Sequence, residues 1–272
     1  MTGFTLPIQT QLGIVEELIG RAEKTIRNAP EGILVIGNKG TSAEWYLKKG
    51  RTRTYLSKTQ RPLAHALAQA AYARDFLKKA EEVREELKQL KALKAERSAS
   101  HMYHALAEPY EKLSEPRKQL VEAYVLPDEE FARAWEQETY EGKSFASDTP
   151  EIFTEKGERV RSKSEKMIAD KLFRMGIHYR YESQLVLKGI GRFYPDFTLL
   201  DLMERVPVFQ EHFGLMDDPD YRKSTFWKID QYEKRGYPLG VRFLCSFESA
   251  DYPLNLAAVE NMLRARFGQL ND

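Results

Sequence analysis

The 272-residue chain has one cysteine, Cys245, five histidines and no excess of either charge, with 42 Lys and Arg against 41 Asp and Glu. A single thiol excludes a disulfide framework and a cysteine-rich zinc site, so a reducing compartment is expected and the chain is read as cytoplasmic. No stretch approaches the ~20 apolar residues of a membrane span, and no basic segment near the start leads into a long apolar run. No membrane partner is therefore expected. A net charge of +1 excludes proteins that coat nucleic acid by charge alone. It does not exclude a basic face, because binding depends on clustering rather than on the sum. His101 and His104 share a helical face without a third ligand at fitting spacing, and are read as surface or packing residues.

What the chain does have is enough apolar residues, 42%, for one large or two modest cores. The stretch 141–150, rich in small, polar and breaker residues, is the best boundary. It divides the chain into a region 1–147, mainly helical with a small antiparallel sheet, and a region 148–272 of alternating strands and helices. In the first region the spacing of Leu12, Val15, Leu18, Ile19, Ala22 and Ile26 predicts a helix. Three short strands follow, over 33–36, 43–47 and 52–56, with Gly-containing turns. Lys48, Lys49, Arg51, Arg53 and Lys58 interleave there with Trp45, Tyr46 and Tyr55, as in a nucleic-acid surface or in a sheet edge guarded by charge. Residues 61–95 read as one long helix. Its Val83, Leu87 and Leu90 fit either a coiled arm for a partner helix or homodimer, or an amphipathic helix pairing within the chain.

The second region carries the chemistry. Residues 164–172 have helical spacing that puts Glu165 on the stripe of Ile168, Ala169 and Leu172, where a carboxylate is costly to bury without a partner. The run 192–200 reads as a strand holding Asp196 beside Pro195, which removes a ladder donor and implies an edge or a bulge. A second strand, 206–213, carries Glu211. Residues 220–234 read as a helix that returns Lys223 or Lys228 toward the strands. The runs 177–187 and 241–247 read as further strands, and 255–267 as a closing helix. Glu182 and Glu248 are additional acids that could reach the same rim.

In this order, the stretches "VRSKSEKMIADKL", "YPDFTLLD" and "EHFGLMDDPDY" resemble the PD-(D/E)XK nuclease superfamily, over roughly residues 150 to 270. Within it they look like a bacterial and phage-associated group of uncharacterised nuclease-like proteins. The resemblance implies an αβββαβ restriction-endonuclease-like core and metal-dependent cleavage of nucleic acid; DNA is taken ahead of RNA as the partner, and both stay open. It implies a role in phage biology or defence. It also implies a site of Glu165, Asp196, Glu211 and Lys228. The pattern departs in one place: the superfamily has Lys two residues after the second acid, whereas Glu211 is followed by His212 and Phe213. Lys228, on the next helix, is the expected replacement.

The expected chemistry follows from charge. Mg²⁺, or Mn²⁺, prefers hard oxygen ligands and keeps several waters, so Asp196, Glu211 and the main-chain oxygen of His212 would suffice, with Glu165 on a bound water or a second ion. Lys228 would orient the attacking water or offset developing charge. The His212 side chain should point away from Glu211, because side chains alternate along a strand. Two other readings remain open: a silent nuclease-like fold acting as a binding or assembly module, and a metal-independent hydrolase built on a carboxylate pair, as in glycosidases.

Overall fold

A computed structural model describes residues 6–39, 42–92, 99–146 and 150–268 of this mixed α/β chain. By compactness the chain separates into Thr5–Phe131 and Ala132–Asp272.

In the N-terminal unit, α1 (Ile8–Arg27) buries Leu12, Val15, Leu18, Ile19 and Ala22 along one face. A three-stranded antiparallel sheet follows, of β1 (Ile33–Lys39), β2 (Ser42–Lys49) and β3 (Thr52–Tyr55). Part of the β1–β2 turn expected at 38–41 lies outside the described residues. Lys49 pairs with Thr52, leaving a two-residue turn in which Gly50 takes φ +57°. Tight hairpins of this kind require such a positive φ, at little cost for glycine. The guanidinium of Arg53 lies over the Tyr46 ring, 3.8 Å from its centroid.

The long helix is α2 (Arg61–Ala92), and α3 (Ala99–Glu111) comes next; the expected continuation to 95 lies outside the described residues. Phe76, Val83 and Leu87 of α2 join Val15 and Ile19 of α1 and Met102 and Leu106 of α3 in one buried cluster. The apolar stripe that offered a coiled seam is therefore covered within its own unit. After α4 (Glu115–Lys118), α5 (Asp128–Gln137) opens with three acidic residues in its first turn, which complement the helix dipole.

The C-terminal unit begins within α5. A small hairpin, β4 (Ile152–Phe153) and β5 (Arg159–Val160), precedes α6 (Lys163–Arg174). Then come β6 (Tyr179–Tyr181), β7 (Leu185–Leu187), β8 (Gly191–Phe193), β9 (Phe197–Asp201), β10 (Val206–Phe213), α7 (Pro219–Glu233), β11 (Phe243–Phe247) and α8 (Leu256–Phe267). One sheet has the order β11-β10-β9-β6. Its β6–β9 and β9–β10 pairings are antiparallel, and β10–β11 is parallel across the α7 crossover. With β7 and β8 set aside as a separate hairpin, the elements from α6 to α8 run αβββαβα.

Strand alternation distributes the two faces. Val208 joins Ile168 and Leu172 of α6 and Val259 and Leu263 of α8. Its neighbour Phe209 joins Tyr232 of α7, Phe213 and Phe243 on the other face. All five residues of β9 are buried, as expected of a strand covered on both sides.

Three expectations need correction. The run 192–200 is two strands, β8 and β9, because Pro195 has no N–H for the ladder of an interior strand. The run 177–187 is likewise split into β6 and β7 at Glu182, whose φ of +45° turns the backbone out of extended geometry. The division between units falls after Phe131, ahead of the boundary expected at 147/148, part of which lies outside the described residues. Residues 135–146 pack on the C-terminal unit. Arg180 bonds to the Trp135 carbonyl and to Glu138, Tyr140 donates to the Tyr181 carbonyl, and Arg161 donates to the carbonyls of Lys143 and Ser144.

Candidate metal and nucleic-acid site

The face of the sheet under α7 opens into a cleft of about 400 Å³, lined among others by Asp196, Glu211, His212, Tyr221, Trp227 and Lys228. Glu211 faces it from β10, and Asp196 enters from the segment just before β9. The β9–β10 register ends at Phe197 opposite Gln210, so β10 runs on past its partner. There the main-chain N–H of His212 donates to Oδ2 of Asp196 at 2.6 Å. A carboxylate thus receives a strand-end donor that the ladder no longer pairs.

Glu211 is 2% exposed. Lys228 brings its Nζ within 2.7 Å of both Glu211 oxygens, and the Tyr232 hydroxyl donates to Oε1 at 2.8 Å. Lys228 and Tyr232 are four residues apart on α7 and share a face. Lys223, five residues before Lys228 and about 140° away around the helix, is exposed and does not line the cleft.

The electrostatics follow from burial. Loss of hydration raises the Asp196 carboxyl well above its ordinary value, and the negative charge of Glu211 adds to this. The His212 N–H and the Lys228 charge act in the opposite direction, while Glu165 is near enough to raise it further. Burial also raises Glu211, against the lowering effects of Lys228 and Tyr232. Tyr232 is pushed upward by its own burial and by Glu211. Cys245, opposite Glu211 on β11, is raised to about 11 by burial and the same carboxylate. Two desolvated carboxylates meet the Lys228 ammonium in this cleft, which Lys143 and Arg192 also line. The raised carboxyls mark a point where negative charge is poorly solvated, which a bound cation would offset.

Glu165 occupies the first turn of α6. Its N–H donates to the Ser162 hydroxyl that caps the helix, and its Oε2 accepts from the Arg161 N–H at 2.9 Å and the Tyr181 hydroxyl at 2.7 Å. It is not among the residues lining the cleft. Glu182 turns the other way, and its carboxylate accepts from Nε and Nη2 of Arg161 at 2.7 and 2.9 Å. Its main-chain N–H donates to the carbonyl of Asp196, which helps fix that segment.

The His212 ring lies on the opposite face of β10 from Glu211. Its Nδ1 is 2.9 Å from the Ser246 hydroxyl, and its Nε2 is 3.3 Å from Glu248, whose carboxylate also accepts from Ser164. Burial opposes ionisation of Glu248, but the contacts from Ser164 and His212 prevail and hold it below its usual value. Glu248 therefore ties β10, β11 and α6 together. His104, set aside as a ligand from the sequence, lies 3.3 Å from Asp128.

The sequence reading missed Tyr181, Tyr232 and Arg161 as partners of the acids. For Tyr232, the spacing from Lys228 was a usable signal. It also missed the rim, where Lys143, Arg192, Phe193, Tyr194 and Trp227 line the cleft. Searches against protein-family models, curated proteins and solved structures gave no match for the chain.

Among the described residues no three His, Cys, Asp or Glu side chains converge on a common metal position. The donor set nevertheless fits a hard divalent cation. Mg²⁺ is commonly held by one or two carboxylates and retains water for the remaining positions. Asp196 and Glu211 supply two such groups on one cleft. The His212 side chain, directed at Ser246 and Glu248, is not part of that set.

Proposed function

We propose that the C-terminal unit is a metal-dependent nuclease that hydrolyses phosphodiester bonds, with DNA as its substrate. The observation that carries this reading is the buried Glu211, paired with Lys228 from the following helix and sharing its cleft with Asp196. The αβββαβ order and the aromatic and basic rim support it.

Asp196 and Glu211 would hold Mg²⁺ or Mn²⁺, which when bound supplies a polarising charge and a more acidic water. Lys228 donates from Nζ to a phosphate oxygen or to the attacking water, offsetting negative charge as it accumulates. Tyr232 keeps Glu211 oriented while Lys228 shifts to substrate. Glu165, fixed by Tyr181 and the Arg161 amide, adds negative charge behind Asp196 and strengthens the site's preference for a cation.

A second reading has its own observation. Lys228 contacts both oxygens of Glu211, an arrangement that also suits a closed ion pair in a silent nucleic-acid-binding module. Cleavage assays separate the two. Purified protein is incubated with linear, circular and single-stranded DNA in Mg²⁺, Mn²⁺ or EDTA, alongside Asp196→Ala and Lys228→Ala. Metal-dependent cutting by wild type, lost in both variants, is the result expected. Binding without cutting under every metal condition would favour the silent module.

A further inference from the structure

The rim of the cleft contains an unusual pairing. Trp227 stacks on Phe193 of β8, with ring centroids 6.1 Å apart and planes at 28°. With one face of the indole backed by that ring, Trp227 is still 51% exposed, and Phe226 beside it is 63% exposed. Neighbouring large rings left open on a helix next to a cleft form an apolar patch of the kind found at contact surfaces. Arg192 adjoins Phe193, and Lys143 lines the same opening, so the aromatic platform lies among groups that attract phosphate.

We propose that this cleft takes single-stranded nucleic acid, with an unpaired base stacked on the open face of Trp227. The inference rests on the nuclease reading for the orientation of the strand but makes its own claim about substrate form. In a duplex the base faces are occupied by their neighbours, and a flat indole can meet only sugar and phosphate edges. In a single strand each base presents a π-face, and an aromatic platform beside a cationic track is the recurring way to hold it. Trp227 and Lys228 are consecutive on α7, so a phosphodiester beside the Lys228 ammonium places an adjoining base within reach of the indole. Arg192 and Lys143 then serve the flanking phosphates, which is the positioning role of backbone contacts.

The test is equilibrium binding in EDTA, so that it does not depend on cleavage. Anisotropy is measured with end-labelled thymidine 12-mers, uridine 12-mers and a hairpin duplex of equal length, using the full chain as wild type, Trp227→Ala and Trp227→Phe. Wild type should bind one or both single strands at least about tenfold more tightly than the duplex, and the two single-stranded arms distinguish DNA from RNA. Loss of one stacked base corresponds to about a 5- to 150-fold weakening in Trp227→Ala, with duplex binding unchanged and most affinity retained in Trp227→Phe. Equal or tighter duplex binding, or equal weakening of both forms by Trp227→Ala, overturns the proposal. Preference for single strands without cutting in Mg²⁺ would sustain it while the nuclease reading fails. Metal-dependent cutting of duplex, indifferent to Trp227→Ala, would do the reverse.

Discussion

The amide N–H of His212 donates to the carboxylate of Asp196 across the open end of the β9–β10 ladder, at 2.6 Å. One hydrogen bond thereby fixes an acid on a segment that Pro195 keeps out of the sheet. Asp196→Asn preserves an acceptor oxygen, whereas Asp196→Ala leaves the amide unsatisfied, at a cost of about 1–3 kcal/mol. Chemical denaturation should therefore find the alanine variant less stable than the asparagine variant. Both should lose metal-dependent cleavage.

The Lys228–Glu211 pair gives a test by double substitution. Lys228→Met leaves Glu211, 2% exposed, with a charge balanced only by Tyr232. Breaking a buried pair from one side costs up to about 3–5 kcal/mol, less here because Lys228 is partly solvated. Adding Glu211→Gln should recover much of that stability without recovering cleavage. Recovery of activity in the double variant would count against a role for either residue in chemistry.

The pH dependence has a defined sign. Asp196 and Glu211 are raised above their ordinary values by burial, so the folded chain binds protons that the unfolded chain has released. Their contribution to stability is full below the unfolded values near about pH 4 and declines as pH rises through the raised folded values. Thermal unfolding followed from pH 4 upward should show this decline in wild type, with a shallower one in Asp196→Asn. Mg²⁺ should raise the Tm of wild type more at high pH than at low pH, and the Tm of Asp196→Asn much less.

Tyr232→Phe removes one donor to Glu211 and keeps the ring that stacks on Phe243, with centroids 4.2 Å apart. The expected loss of stability is about 1–2 kcal/mol, measured by urea titration. Because Lys228 remains to act on substrate and only the orientation of Glu211 loosens, cleavage should fall less than in Lys228→Ala.

The position of the unit boundary can be checked with two fragments. Residues 132–272 retain the Trp135, Glu138, Tyr140 and Lys143 contacts to Arg180, Tyr181 and Arg161, whereas residues 148–272 lose them. The longer fragment should show a cooperative thermal transition, and the shorter one a lower Tm or none.

Periodicity within single segments carried most of the local elements and their phases, though not the breaks at Glu182 and Pro195. Helical spacing placed α6, α7 and α8, alternation placed β10, and the opposite facings of Glu211 and His212 follow from a two-residue repeat. The packing partners are a different matter. Lys223 and Lys228 both lay on the returning helix, with Lys228 preferred, and the rotation of α7 against β10 sets Lys228 on Glu211 while Lys223 stays exposed. Glu182 and Asp196 were both acids in strand-like runs, yet a positive φ and Arg161 turn the first away while the overhanging end of β10 captures the second. The facing of the α2 stripe was decided by packing against α1, some thirty residues upstream, and against α3. Short-range periodicity is written into each segment, whereas register, strand ends and helix rotation depend on contacts between segments, which only the folded chain brings together.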